Sequence, residues 1–229
     1  MALEVIPQSD KTTVGDYVYE LIKRNIVRLK LEPGKRISEN EISELLGVSR
    51  TPVREAFIKL SREDLLYVLP QRGTYVSQID MTQVEEARFI REVLESAVLK
   101  LVTQGIDVTF IKLLEQNLEA QRRWTDADGF TTYMELDEKF HEIIFESVHK
   151  QRTWEVIEQV NTQYRRVRIL SYSFNNMISS LIDQHAALLE AIRNRDEARG
   201  QEIISMHTRK LLHEQSELME RYPGYFKSK

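Results

Sequence analysis

Leu46-Gly47-Val48-Ser49-Arg50-Thr51-Pro52-Val53-Arg54-Glu55-Ala56-Phe57 reads as the end of one helix, a tight turn and the start of the next. Gly47 suits the left-handed residue that stops a helix. Ser49 is placed to cap the helix that follows, and Pro52 falls in its first turn, where a missing N–H costs nothing. Val53, Ala56, Phe57 and Leu60 recur at helical spacing and predict its inward face, while Arg50 and Arg54, four residues apart, share another face near its N-terminus.

Working outward, Ser38-Glu39-Asn40-Glu41 has capping-box spacing, and Ile42, Leu45 and Leu46 supply an inner face for a helix ending at Gly47. Upstream, residues 14–30 carry Val14, Val18, Leu21, Ile22, Ile26 and Leu29 as an amphipathic stripe, closed by Pro33-Gly34. Downstream, 65–69 and 74–77 are short β-like runs around Pro70-Gln71-Arg72-Gly73, a hairpin. Three short helices followed by a hairpin is the order of a winged helix-turn-helix.

The totals hide this. The chain has 229 residues, 32 Lys+Arg against 36 Asp+Glu and a net charge of −4, which by itself suggests a soluble enzyme. Residues 1–80 carry 12 basic and 12 acidic groups, so residues 81–229, with 20 and 24, hold the whole excess. Within the first part Arg50, Arg54, Lys59, Arg62 and Arg72 gather on the third helix and hairpin. Arginines on one helix face can reach guanine edges or phosphates in a major groove, and hydroxyls at a helix N-terminus can donate to phosphates.

Residues 14–77 strongly resemble the DNA-binding domain of the GntR family of bacterial transcriptional regulators. The resemblance is carried by the 31–42 segment with Pro33-Gly34-Lys35-Arg36-Ile37-Ser38, by the 46–57 segment and by Pro70-Gln71-Arg72-Gly73-Thr74-Tyr75-Val76. It implies that Arg50 and Arg54 read bases, that Ser49, Thr51 and Arg36 contact phosphates, and that Arg72 and Gly73 form a wing tip at the minor groove. Asn40 stands where many members carry Arg. Asp64 replaces the usual helix-ending Gly, and Asp tolerates left-handed geometry.

From 81 to 222 there is no proline, and apolar residues recur at three- and four-residue spacing. About six helices are predicted, near 82–104, 107–124, 127–148, 151–175, 177–194 and 196–221, with Asp107 and Asp196 as N-caps. The expected fold class is therefore mostly α: a tail at 1–10, a winged helix-turn-helix at 11–78, and an all-α antiparallel helical bundle at 79–229. The first eleven residues lack a basic segment followed by an apolar core, and no apolar run reaches about 18 residues, so a cytoplasmic protein without membrane spans is expected.

The chain has no cysteine, which leaves His, Asp and Glu as metal ligands. Asp137 and His141 are four apart on an apolar helix face; His185 and His207 each sit among Leu and Ile at helical spacing. Buried carboxylate and imidazole must be paired or coordinate a metal. Three imidazoles and one carboxylate suit a divalent ion, zinc first, with nickel, manganese or iron as alternatives. The pattern resembles the metal-binding subset of the FCD ligand-binding domain, which follows the DNA-binding domain in the FadR branch of the same family. In that resemblance Arg91 of Arg91-Glu92-Val93-Leu94-Glu95 faces a cavity and clamps a ligand carboxylate.

Tyr164 and His149 are further candidates to line the pocket, whereas Arg165, Arg166 and Arg168 read most simply as a solvated face. The function expected is a homodimeric repressor that binds a palindromic operator in double-stranded DNA, controlled by a small carboxylate such as a sugar acid, hydroxy acid or dicarboxylic acid. The rival is a metal-dependent hydrolase. His141-Glu142 begins like a zinc-protease motif, but Phe145 occupies the place of its second histidine, and Glu142 points about 100° away from His141 around the helix.

Overall fold

The computed structural model describes residues 3–5, 7, 12–124, 129–172 and 178–227, with the side chains of 211–214 left aside. It divides the chain into two units: Met1–Met81 together with Met219–Lys229, and Thr82–Leu218.

In the first unit α1 (Val14–Val27), α2 (Glu39–Leu46) and α3 (Arg50–Arg62) accompany a three-stranded antiparallel sheet of β1 (Arg36–Ile37), β2 (Leu66–Leu69) and β3 (Gly73–Val76), in the order β1-β3-β2. The local signals act as predicted. Ser38 Oγ accepts from the Glu41 backbone N–H at 3.2 Å, Gly47 ends α2 with φ 65°, and Asp64 takes φ 55° after α3. Val18, Ile22, Ile26, Ile42, Val53, Phe57, Leu60 and Val76 share one core.

Three details differ. The two-residue β1, too short to show alternation, adds a third strand by pairing Arg36 with Tyr75 and Ile37 with Thr74. Leu45, expected inside, is 46% exposed, because Ile42 already fills the inner face of this eight-residue helix. The segment after 218, assigned from sequence to the helical domain, clusters with the first unit, where Phe226 forms a parallel bridge with Ile79.

The second unit is helical: α4 (Met81–Val102), α5 (Val108–Arg123), α6 (Phe130–Glu146), α7 (Gln151–Val160), α8 (Thr162–Tyr172), α9 (Ile178–Arg193) and α10 (Glu197–Arg221). Asp107 and Asp196 accept from the backbone N–H of Thr109 and Arg199, capping α5 and α10. The core joins Val98, Leu99, Leu114, Leu118, Phe140, Ile144, Trp154, Leu188, Leu189 and Ile204. One helix expected over 151–175 is two, interrupted at the fully buried Asn161. The break lets α7 bury only Trp154 and Ile157 while α8 buries nearly every residue. Residues 125–128 and 173–177, which include the expected start of the 127–148 helix and the end of the 151–175 helix, lie outside the described residues.

Candidate metal centre and nucleic-acid interface

On α3, Arg50, Thr51 and Arg54 are exposed, and among the described residues none forms an ion pair with either arginine. Lys59 of the same basic cluster is instead engaged by Asp16 at 3.0 Å. Ser49 sits at the N-cap with φ −67° and ψ 163° but makes no side-chain capping bond. Its hydroxyl is therefore not committed to the helix end as the sequence predicts, and the first N–H groups of α3 remain available to an anion. In the hairpin, Arg72 is exposed, and Tyr67 and Tyr75 stack with centroids 5.5 Å apart, stiffening the wing. Gly73 has φ +114°, and a Cβ there would meet Arg36 Nε at 2.8 Å. The wing glycine thus gives the Arg36 guanidinium room to lie against the strand.

In the helical unit, α6 contributes Asp137 and His141, α9 His185 and α10 His207. All four are buried, and one ligand atom from each lies within 4.8 Å of the others. The three imidazole centroids are 5.3, 5.1 and 4.9 Å apart. His185 Nε2 lies 3.5 Å and His207 Nε2 3.9 Å from Asp137 Oδ1. The outer nitrogens face different acceptors: His185 Nδ1 lies 2.7 Å from Gln121 Oε1, His207 Nδ1 3.0 Å from Gln184 Oε1, and His141 Nδ1 3.1 Å from Glu95 Oε2. His185 and His207, with an Nδ1 proton so directed, turn the Nε2 lone pair inward. His141 Nε2, His185 Nε2 and Asp137 Oδ1 are buried without a hydrogen-bond partner. Buried polar atoms are rarely left so, and three nitrogens with one carboxylate oxygen are a donor set for a divalent metal.

The surrounding charges keep these groups in ligating form. Burial favours the neutral Asp137 carboxyl, but Arg168, whose Nη2 donates to Asp137 Oδ2 at 2.5 Å, and the nearby imidazoles hold it well below the usual carboxylate range. Burial pushes His185 down to about 3, against the pull of Asp137, and drives His207 down as well. Both are therefore neutral near pH 7. Glu95 is held low against its burial by Arg91, whose Nε donates to Oε1 at 2.5 Å, and by His141.

Of the residues expected around the metal, Arg91 and Tyr164 are buried beside the cluster: Arg91 Nη2 is 3.9 Å from Asp137 Oδ2, and its guanidinium lies over the Tyr164 ring at 5.8 Å. His149 is not brought there. It is exposed in the turn after α6 with φ 59°, where the chain must reverse before α7. Arg166 and Arg168 are buried rather than solvated, and Arg165 is bound by Glu138 at 2.6 and 2.8 Å. Sequence reasoning also gave no role to Glu95, Gln121 or Gln184. For Arg168 a signal existed, since it follows Tyr164 by one helical turn and precedes Tyr172 by another. A cavity of about 10 Å³, room for one water, touches Glu95 and His141. An open groove of about 1030 Å³ between α5, α6 and α9 is lined by none of the four cluster residues.

Residues 86–210 match the family model of the FCD domain, and residues 15–76 match that of bacterial regulatory proteins, gntR family. The HTH-type transcriptional repressor RspR of Escherichia coli K12 is 34% identical over 198 residues, spanning 86% of this chain and 87% of that protein. The chain belongs to the gntR family of bacterial regulatory proteins. Another gntR-family relative is the gluconate operon transcriptional repressor of Bacillus subtilis 168, 29% identical over 199 residues, or 82% of this chain and 79% of its own. The fold matches E. coli McbR/YncC with a TM-score of 0.72 at 21% identity, covering 92% of this chain and 99% of that one. With its gntR and FCD domains and these relatives, the chain is a transcriptional regulator and not an enzyme, and the hydrolase reading has no support. Glu142, its would-be base, is bound by Lys139 at 2.8 Å. No helix among the described residues is long and apolar enough to cross a membrane.

Proposed function

We propose that this gntR-family protein is a homodimeric, cytoplasmic repressor whose affinity for a palindromic operator is set by a small organic acid bound at a divalent metal. Asp137, His141, His185 and His207 would hold the ion, zinc before nickel, manganese or iron, because nitrogen-rich sets of four donors suit it best. A divalent ion held there would supply Lewis acidity toward carboxylate or hydroxyl oxygens of the effector, and Arg91 and Tyr164 lie beside the cluster. The observation that carries the reading is the inward convergence of three imidazoles and Asp137, with His185 and His207 each held from behind by a glutamine oxygen and His141 beside Glu95.

On the DNA side, Arg50 and Arg54 read base edges, Arg36, Ser49 and Thr51 meet phosphates, and Arg72 with Gly73 enters the minor groove. Two-fold symmetry lets two such heads read a palindrome. The acid shifts the balance between bundle arrangements that differ in operator affinity. The names of two relatives, which are repressors, support the direction of control. The test is operator binding by fluorescence anisotropy with full-length protein of measured metal content. One metal per chain and release of DNA by a carboxylate only in the metal-loaded form is the expected result; identical DNA binding with and without metal and acids overturns it.

A further inference from the structure

Helix α4 has two faces with different company. Inward, Arg91 and Glu95 pair with each other, and Glu95 stands beside His141. Outward, Phe89, Val93, Ala97 and Leu101 follow one another at four-residue spacing, which sets them in one exposed stripe along the helix. Phe89 is 59% and Val93 47% exposed. The adjacent helix leaves the stripe open, because α10 runs along the flank of α4 instead. There Gln201 Nε2 donates to the Ser96 carbonyl at 2.8 Å, and Ser205 Oγ and Arg209 Nε donate to Glu92 Oε1 at 3.3 and 2.8 Å.

The charges beside the stripe select what fits it. Glu85 and Glu92 are already paired with Arg88. Glu86 and Lys100 are exposed, and among the described residues neither forms an ion pair. They lie seven residues before and seven after Val93, as Phe89 and Ala97 lie four before and four after it. A two-fold axis at Val93 that runs α4 antiparallel to a second copy of itself therefore sets Glu86 level with the partner subunit's Lys100, twice over. The same operation brings the bulky Phe89 to the level of the partner subunit's small Ala97 and opposes the two helix dipoles. A parallel pairing would instead set Glu86 against Glu86 and Lys100 against Lys100.

We propose that the outward face of α4 is the surface through which two copies of this chain associate, packed antiparallel about Val93. This rests on the homodimer reading above and names the residues that make the dimer. One helix then carries the contact between copies on one face and the support of His141 on the other.

The test is sedimentation of the full-length protein across micromolar concentrations. Val93→Glu sets two carboxylates at the axis and should raise the dimer dissociation constant about a hundredfold or more. Glu86→Lys or Lys100→Glu alone turns two attractive pairs repulsive and should raise it about tenfold, and the two changes together should return it to the wild-type value. The chain has no cysteine, so Val93→Cys adds a lone thiol, which diamide should link to its symmetry mate because antiparallel helices in contact bring facing Cα atoms within disulfide reach. Val108→Cys, on α5 and exposed at 63%, should stay unlinked. A wild-type chain that sediments as a monomer sinks the homodimer reading and this one together. A wild-type dimer that Val93→Glu leaves intact, that Val93→Cys fails to link, or whose weakening by one charge change is not reversed by the second sinks this one alone.

Discussion

Gln121 Oε1 lies 2.7 Å from His185 Nδ1, and the residues behind Gln121 fix which proton stands between them. Asn117 Nδ2 donates to the Leu136 carbonyl at 3.0 Å, so its Oδ1 is the acceptor for Gln121 Nε2 at 2.7 Å. The oxygen of Gln121 is then the end that faces His185, and the imidazole must carry its proton on Nδ1. Phe140, stacked on the ring at 4.6 Å, holds its plane. A backbone carbonyl on α6 is thereby linked through two amides on α5 to the lone pair that His185 directs at Asp137.

Gln121→Leu is expected to weaken metal binding about 10- to 100-fold, the usual cost of losing an outer hydrogen bond to a ligating imidazole. Competition against a chromophoric chelator measures it, with helix content read by circular dichroism. An unchanged affinity would mean that the amide chain does not orient His185.

Metal removal should lower the thermal transition of the helical unit. An ion at a hundred times its Kd adds about 2.7 kcal/mol to folding, or roughly 5–10 °C for a chain of this size. His185→Ala should show the low transition with or without added zinc; a zinc response that survives the substitution refutes the ligand assignment.

Chelator-treated protein should lose stability on acidification. His185, pushed down to about 3 from 6.5, and His207, also lowered, stay neutral in the folded state while the unfolded chain protonates below pH 6.5. The stabilisation is present above that pH and lost as pH falls, about 2–3 kcal/mol in total between pH 7.5 and 5.5 for two imidazoles. Asp137 and Glu95, held below 3.8 and 4.5, add a loss of the same sign in more acidic solution. Urea denaturation at several pH values checks this, and a flat profile would show that the imidazoles are not kept neutral.

On the DNA side, Arg54→Ala should cost about 1–3 kcal/mol of operator affinity and relax specificity at one base pair. Ser49→Ala gives the sharper contrast. An N-cap serine normally contributes about 1 kcal/mol to folding, yet Ser49 makes no capping bond, so its loss should leave the melting temperature unchanged while weakening binding to all sequences alike. A destabilised Ser49→Ala protein with full DNA affinity would reverse the assignment.

The parts legible in the sequence were those set by neighbours along the chain. Ser38, Gly47, Pro52 and Asp64 mark helix ends through backbone geometry and local hydrogen bonds, and they lie where they were expected. The faces carrying Asp137 with His141, His185 and His207 follow from a period of 3.6 residues. Less legible were elements whose reason lies elsewhere in the chain. Strand β1 exists because β3 offers it an edge, and the break at Asn161 falls in a stretch whose periodicity runs on across it.

The sequence by itself determined a winged helix-turn-helix followed by a helical bundle, a basic third helix, and one carboxylate with three imidazoles on inward faces. Only the tertiary structure decided what stands opposite those groups. Helical spacing states which way a side chain points but not which helix it meets, so Arg168, polar on a polar helix, reads as solvated until Asp137 appears at its tip. The same holds for Gln121 behind His185 and Glu95 between Arg91 and His141. Burying a charge or an amide is tolerable only with a partner, and these partners come from other helices, 31 and 64 residues away for Arg168 and Gln121.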